Sequence, residues 1–329
     1  MATTDEVLTA LGRGRRTVNA LLGEQERALA ERWVNLWGEL STELSDSLQE
    51  PLRRRRVVAL QRATTLVQQQ LTDLAPDVAR VLSVDLPTAA AAGAEAQLAA
   101  TRASLPAGVG ITLERVPEAA MSAIVTRATQ RVHSASRPLT EQMAISMKLE
   151  IEKGVALGDN PRRVARQIMK RTQGRFNGGL GRALTLARTE MLDAHRVASA
   201  AANLANKDVV TGWRWMATLS GRTCSACLSM NGSAHELTEP GPLGHQNCRC
   251  VRVPTTKTWA DLGFKGIPEP PDQFPDAEAW FNNLTVSSQK EILGLARYTS
   301  WAAGDYPMSK WATRQENPGW RPSYVRSKP

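Results

Sequence analysis

The chain contains few of the residues that mark secreted and membrane proteins. It has only four cysteines in 329 residues, and all four lie between positions 224 and 250. A single cluster of thiols favours synthesis in a reducing cytosol over the disulfide framework of a secreted domain. No run of about 18 apolar residues is present, so we expect no transmembrane helix and no membrane partner. The N-terminus has no basic region followed by an apolar core, so we expect no signal peptide.

Aromatic residues are also scarce, at 5% of the chain, but nine of them are Trp against four Phe and three Tyr. The composition is otherwise 42% hydrophobic and 22% charged, which is typical of a globular protein rather than a disordered one. Leu and Ala dominate the first two hundred residues, which favours helices. The sequence therefore predicts a mainly helical, folded chain.

The four cysteines and one histidine form two short motifs. The first is C-x-x-C, at Cys224 and Cys227, and the second is H-x-x-C-x-C, at His245, Cys248 and Cys250. C-x-x-C spacing puts both sulfurs on one side of a tight turn, and the second motif can then complete a tetrahedron around Zn²⁺. A structural zinc needs four ligands, and the sequence does not decide whether His245 or one cysteine is left out. We expect zinc as the cofactor.

Two other interpretations of the cysteine cluster remain open, a disulfide pair and reduced buried thiols. Neither the H-E-x-x-H motif of zinc proteases nor the H-x-E and P-C-x-x-C motifs of zinc deaminases is present. The zinc would therefore be structural, and we expect that the protein is not an enzyme.

The zinc motifs lie within a predicted β-element. Residues 209–218 alternate and are rich in Val and Trp, which predicts a strand, and residues 250–253 predict a returning strand. Asn231-Gly232 predicts a turn between them. Before this element, residues 182–203 predict a long helix, and Pro138 predicts the start of a new helix. Such a small β-element has too little core to fold without a metal.

The C-terminal part is punctuated by proline and contains tryptophan. Pro268, Pro270, Pro271 and Pro275 predict a linker or arm, and residues 276–301 predict one or two helices. Trp301, Trp311 and Trp320 follow in a basic tail that we expect to be extended, with its Trp side chains docked on a partner. The alternative is that the tail folds back and buries these rings within the chain.

These patterns together predict a mainly α fold, with a long-helix body, a small zinc-stabilised β-element and an extended Pro/Trp-containing C-terminal arm. We expect four regions: an N-terminal helical region at 1–105, a helical body at 106–205, the β-element at 206–255, and a linker with short helices and a basic tail at 256–329.

Basic residues are concentrated in a stretch that lacks acidic ones. Between Pro161 and Thr189 there is no Asp or Glu, and the net charge of the chain is +9. We expect a contact with DNA or an acidic partner; the alternative is a solvated helix face. The predicted contact residues are Arg162, Arg163, Arg166, Lys170, Arg171 and Arg175.

Several motifs carry a resemblance to a known family. They are A-R-T-E at 187–190, W-R-W-M-A-T at 213–218, R-T-C-x-x-C at 222–227, N-G at 231–232 and H-Q-N-C-R-C at 245–250. Over residues 145–255 the chain resembles the Mu F-like minor head proteins of tailed bacteriophages, also called the phage head morphogenesis domain. Ser220, Asn231 and Gln246 depart from the residues usual in the family, and all thiols and the histidine are kept.

The resemblance implies a minor capsid protein that acts in head morphogenesis rather than an enzyme. The expected partners are the portal protein and the major capsid shell, and the expected location is the head interior of the virion, after synthesis in the cytoplasm of the bacterial host. A second class of function, a zinc-containing protein that binds or processes nucleic acid, is favoured by the basic stretch together with the zinc motif.

Overall fold

The computed structural model of the chain describes residues 4–48, 58, 65, 69, 76–108, 110–156, 179–272, 274–317 and 321–329. These residues are mainly helical, as predicted, and form two small antiparallel sheets, one of which lies where an extended arm was expected. The helices are α1 (Thr4–Leu48), α2 (Leu86–Ala103), α3 (Glu118–Ala156), α4 (Gly179–Ala205), α5 (Ser225–Met230), α6 (Ala277–Asn282), α7 (Val286–Leu293) and α8 (Leu295–Ala302), with a 3-10 turn at Met308–Lys310. The strands are β1 (Val210–Met216), β2 (Ala234–Glu236), β3 (Val251–Thr256), β4 (Ala312–Gln315) and β5 (Ser323–Arg326). No helix in these ranges is long and apolar enough to cross a membrane.

The chain divides into two compact units, each made of separate segments. Unit 1 contains Met1–Val18, Pro87–Ile124 and Leu192–Pro329, and unit 2 contains Asn19–Leu86 and Val125–Met191. The divisions that we expect near residues 105, 205 and 255 stay predictions. All five Cys and His residues of the zinc motifs lie in unit 1.

Unit 2 is held by polar contacts between its helices as well as by apolar burial. The Gln25 side chain donates to Val81 O at 3.1 Å and to the Asp85 carboxylate at 2.9 Å. Arg188 Nε donates to the Glu26 carboxylate at 2.7 Å. Because both partners of this ion pair are partly exposed, its contribution to stability is small.

In unit 1, helices α2 and α4 approach closely because their contact faces are made of small residues. A Cβ atom at Gly93 would overlap the backbone carbonyl of His195, and Ser199 Oγ donates to Gly93 O at 3.0 Å. Close approach of two helices requires side chains of this size at the contact. The buried small residues are Ala89, Ala90, Ala94, Ala96 and Ala100 on α2, and Ala194, Ala198 and Ala202 on α4.

The predicted strands are confirmed as β1 and β3, which pair antiparallel, with β2 on the other edge of β1. Side chains alternate between two faces of this sheet. On one face Met216, Val251 and Val253 pack against residues of α1 and α2. On the opposite face Trp213 and Trp215 pack against the four cysteines. The alternation thus gives the sheet one helix-covered face and one face that carries the cysteine cluster.

The C-terminal region, defined as the described residues 274–317 and 321–329, is folded. Asp276 and Thr285 cap α6 and α7 with their side chains, and Gly294, at φ +78°, joins α7 to α8. Strands β4 and β5 then form a hairpin. Phe281 and Trp311 are fully buried in a core that these elements share.

The prediction of an extended arm is therefore wrong over these residues. Trp311 lies 4.9 Å from the Phe281 ring, centroid to centroid, and donates its indole N–H to Tyr306 O. Trp301 is half-buried against Phe281. Burying a Trp removes about 150–250 Å² from water, which favours folding back over an exposed tail. Trp320 lies outside the described residues.

The helix boundary predicted at Pro138 is also wrong. Helix α3 continues through this position from Glu118 to Ala156. Proline removes one backbone hydrogen bond and disfavours a helix interior, so sequence reasoning placed a break there. Residues 111–116, between α2 and α3, form no regular element.

We expect Gly93→Ala to destabilise unit 1 by about 2 kcal/mol or more, because the new methyl group meets the His195 backbone and not a flexible side chain. Gly23→Ala is the matched control, since it lies in a helix and the described residues place no atom within 4 Å of the new Cβ. It should be neutral or stabilising by up to about 1 kcal/mol. Urea unfolding followed by circular dichroism measures both, and equal midpoints for the two variants would contradict the close helix contact.

Candidate metal centre

Helix α5 positions the first two cysteines. Cys224 is the N-cap of this six-residue helix, and its sulfur accepts a hydrogen bond from the Cys227 backbone N–H at 3.4 Å. The cap therefore places both sulfurs on the same side of the first turn. Thr223, just before the helix, donates its hydroxyl to Thr218 O and fixes the chain between β1 and α5.

A tight loop positions the other three candidates. Asn247 adopts φ 62°, and Cys248 N donates to His245 O at 3.1 Å, which closes a turn. Gly244 packs so closely on Cys248 that a Cβ at this position would overlap the Cys248 sulfur. Cys250 then leads directly into β3. This loop folds only with glycine at position 244 and a residue that tolerates positive φ at position 247.

The five donor atoms converge on Cys227. Its sulfur lies 3.7 Å from His245 Nε2 and 3.7 Å from the Cys248 sulfur, and the Cys224 sulfur lies 3.0 Å from His245 Nε2. Tetrahedral zinc, with bonds of about 2.3 Å to sulfur and 2.0 Å to nitrogen, places two sulfurs about 3.8 Å apart and sulfur and nitrogen about 3.5 Å apart. The donor set and most of these separations fit a metal ion.

Two groups of three donors share Cys227. One is Cys224, Cys227 and His245, and the other is Cys227, Cys248 and Cys250, with the atoms of each group within 4.8 Å of one another. All four cysteines are free thiols, so the disulfide interpretation does not describe this structure. The five residues that we predict as ligands are thus brought together, and which four would bind stays open.

His245 is oriented as metal-binding histidines usually are. Its Nδ1–H donates to Gln246 O at 2.5 Å, which leaves Nε2 facing the cysteine sulfurs. A backbone carbonyl on the far nitrogen fixes the tautomer and the ring orientation of a ligand histidine. Sequence spacing placed His245 in the site, and this contact supplies a reason for the ring to stay there.

Two of the four thiols, Cys224 and Cys248, are favoured as thiolates, the form that binds a metal, whereas hydrogen bonds with neighbouring thiols and burial raise the pKa of Cys227 and Cys250. The hydrogen bond from Cys227 lowers the pKa of Cys224 to about 4, with a further contribution from His245. Hydrogen bonds from Cys227 and Cys250, and the charge of Arg196, lower the pKa of Cys248. Burial alone would lower the pKa of His245, but its hydrogen bond with Cys224 and the nearby thiolate charges raise that pKa to about 9.

Arg196 of α4 connects the cluster to the helices. It is 4% exposed, and it donates to the carbonyl oxygens of both Cys248 and Cys250, at 3.0 Å from Nε to Cys250 O. Its neighbour His195 is also buried, and burial together with the charges of Arg196 and Arg15 lowers the pKa of His195 to about 4. His195 is therefore neutral at physiological pH, and Arg196 carries the positive charge.

Trp213 anchors residues 231–244, the segment between α5 and His245. Its ring is stacked between the imidazole of His235, at 4.1 Å, and the guanidinium of Arg252, at 4.5 Å. Trp213 Nε1 and Arg252 Nη2 both donate to Glu239 O, each at 3.1 Å. Burial lowers the pKa of Arg252 to about 9, and the side chain stays charged at neutral pH.

Sequence reasoning missed the residues that surround the cluster. The alternation in β1 could have assigned Trp213 and Trp215 to the face of the predicted zinc site. Nothing in the local pattern around Arg196 signals its role, because it depends on a contact 52 residues away along the chain. The predicted DNA or partner contacts lie outside the described residues: Arg162, Arg163, Arg166, Lys170, Arg171 and Arg175.

A family model described as Phage Mu protein F like protein matches residues 146–253, about a third of the chain. The match spans β1, residues 231–244 and all five Cys and His residues, and it supports the Mu F-like family, as predicted from the motifs. The comparisons with curated proteins and with solved structures gave no match.

We expect Arg196→Leu to destabilise unit 1 by about 2 kcal/mol or more, because two carbonyls next to candidate ligands lose a charged donor. Arg188→Leu on the same helix is the control, since its ion pair with Glu26 is partly exposed and is worth less than about 1 kcal/mol. Thermal unfolding of the three proteins tests this. A melting temperature of Arg196→Leu equal to that of the parent would contradict an anchoring role.

Proposed function

We propose that this protein, whose residues 146–253 match the Mu F-like family, is a minor capsid protein that acts in phage head morphogenesis. The family match carries this proposal. The matched stretch includes most of the sheet β2-β1-β3 and all of its cysteine cluster.

The proposed place of action is the procapsid, near the portal, with the protein retained in the head interior of the virion after synthesis in the host cytoplasm. The proposed partners are the portal protein and the major capsid shell. Family resemblance supports these points. Because Trp311 is buried within the chain, the surface that docks is formed by other side chains than this ring.

We further propose that the cluster holds one structural Zn²⁺ and that the protein performs no chemistry. Zinc would supply four strong bonds that join α5 to the loop before β3. All four thiols are 8% exposed or less, which fits a closed structural site better than a catalytic site with an open position. The chain's own contribution is to orient His245 through Gln246 O and to fix the Cys248 and Cys250 carbonyls through Arg196.

Contact with packaged DNA remains a prediction for the basic residues between 162 and 175. The alternative function, a zinc-containing protein that binds or processes nucleic acid, depends on the same residues. Since they lie outside the described ranges, no contact in the structure favours that alternative.

Protein purified without chelators should carry about one zinc per chain, and Cys227→Ser should lose it, because Cys227 belongs to both groups of donors. Ser225→Ala is the matched control. Ser225 lies between the two cysteines at the start of α5, and its buried hydroxyl has no hydrogen-bond partner among the residues that the structure describes, so its loss should leave zinc content and stability unchanged. Elemental analysis by plasma mass spectrometry measures the metal, and a folded parent protein without metal would refute the site.

Serine substitution of Cys224, Cys248 and Cys250, and His245→Asn, would then identify the ligand set. The variant that retains one zinc with unchanged affinity names the residue outside the first coordination shell.

When co-expressed with the portal and major capsid proteins of the same phage, the protein should sediment with procapsids in few copies. Its amount should fall when the portal is omitted. Cys227→Ser should be incorporated less well, because the binding free energy of a structural zinc is folding free energy, whereas Ser225→Ala should behave as the parent. Quantitative mass spectrometry of gradient fractions measures incorporation. A zinc-loaded protein that stays entirely in the soluble fraction would contradict the assembly role.

A further inference from the structure

We propose that the metal centre controls the docking of the C-terminal region, so that this region is held on unit 1 with metal and released without it. This inference rests on the proposed metal site. It concerns described residues 274–317 and 321–329, which lie beyond the family match and contain none of the candidate ligands.

Helix α5 forms the first part of the docking surface, which is the set of unit 1 residues on which the C-terminal region packs. Leu228, the residue after Cys227, is 1% exposed and is buried in the same core as Phe281, Leu293 and Trp311. A helix of six residues is unstable alone, because helix nucleation is unfavourable and few hydrogen bonds follow it. The position of Leu228 therefore depends on what holds Cys224 and Cys227.

The loop that leads to His245 forms the second part of the docking surface. Tyr324 of β5 donates its backbone N–H to Leu243 O at 2.8 Å and pairs with Gly244 as an isolated parallel bridge. The Tyr324 ring meets Trp215 edge-on at 5.8 Å and packs against the cysteine cluster. Gly244 itself contacts the Cys248 sulfur, so the strand β5 is attached next to the ligands.

A third contact comes from the turn between α5 and β2. The Asn231 side chain donates to Pro275 O at 2.7 Å and accepts from Ala217 N at 2.9 Å. Two further contacts bypass the ligand segment: the Phe274 ring, which lies 3.9 Å from the Arg214 guanidinium and packs beside α1 and α2, and the ion pair between Arg321 and Asp193 of α4 at 3.1 Å. They involve the first residue of the region and the loop between β4 and β5, whereas α5 and the loop before His245 contact its core and its last strand.

The docking surface therefore consists mainly of two chain segments, α5 and the 242–248 loop, which the metal would join. Without metal, α5 and the 242–248 loop are linked by the chain between them and by hydrogen bonds among the thiols and the imidazole. Their relative position is then less restrained. Metal binding and docking then stabilise each other, and the coupling must be reciprocal: whatever weakens docking must also weaken metal binding by the same factor.

Hydrogen exchange of the full chain, followed by mass spectrometry with zinc and after chelation, tests the inference. Amides of α6, α7 and β5 should exchange at least about ten-fold faster after chelation, in parallel with residues 224–250, whereas α2 and α4 should keep their protection. Unchanged protection of the C-terminal region while 224–250 is deprotected would overturn the inference. Deprotection of α2 and α4 to the same extent would also overturn it, because the metal would then hold the whole unit.

A second variant tests reciprocity without touching a ligand. Leu228→Ala should bind zinc about ten-fold more weakly in competition with a chromogenic chelator, and its α6 and α7 should exchange faster even with zinc bound. Leu295→Ala is the control, because Leu295 is 70% exposed on α8 and should change neither property. Unchanged zinc affinity in a Leu228→Ala protein with a deprotected C-terminal region would overturn the coupling alone. Metal-free parent protein would instead refute the metal site itself, and this inference with it.

Discussion

The meeting of two chain segments at the sulfur of Cys227 is the constraint on which the β-element of unit 1 depends. His245 and Cys248 each approach this sulfur to 3.7 Å, although they are 18 and 21 residues away along the chain. Buried thiols and a half-buried imidazole at these separations form only weak hydrogen bonds with one another. A metal would replace those contacts with coordination bonds, which are strong enough to make folding of such an element depend on the ion.

The sheet connects the cysteine cluster to the helices of unit 1, because its two faces pack against different parts of the unit. A three-stranded sheet has two faces, and in this protein both faces are covered. Helices α1 and α2 cover the face with Met216, Val251 and Val253. The other face carries Trp213 and Trp215, whose rings lie against the cysteines. The cluster thus stands where a second sheet would otherwise pack, and two large aromatic rings provide the apolar area that four cysteines lack.

The parts that could be predicted from the sequence are those determined by local pattern. The period of two gave strands close to β1 and β3, Asn231-Gly232 gave the turn, and the spacing of thiols and histidine gave the five residues that the structure brings together. Helix α5 was missed because six residues are too few to show a helical period and because Cys224, its N-cap, was interpreted only as a ligand. Folding back of the C-terminal tail could be predicted only as the alternative to an extended arm, because burial of Trp311 depends on Phe281 and Tyr306, which no local pattern connects to it.

Charge around the cluster gives a further reason why the helices and the β-element belong to one unit. Zinc with three thiolates and a neutral histidine would leave a net charge of about −1, and zinc with four thiolates about −2. Such a charge is costly to bury unless positive groups lie near it. Arg196 of α4 donates to the Cys248 and Cys250 carbonyls, and the charge of Cys250 opposes the lowering of the Arg15 pKa that burial causes.

Arg15 belongs to α1 and donates to Thr218, just after β1. Two helices therefore each contribute one arginine toward the cluster, and each arginine is itself buried or half-buried. A buried guanidinium is as unfavourable without a negative partner as the thiolates are without a positive one. The dependence is mutual: the helices compensate the charge of the cluster, and the cluster makes it possible to bury their arginines at the surface where they meet the β-element.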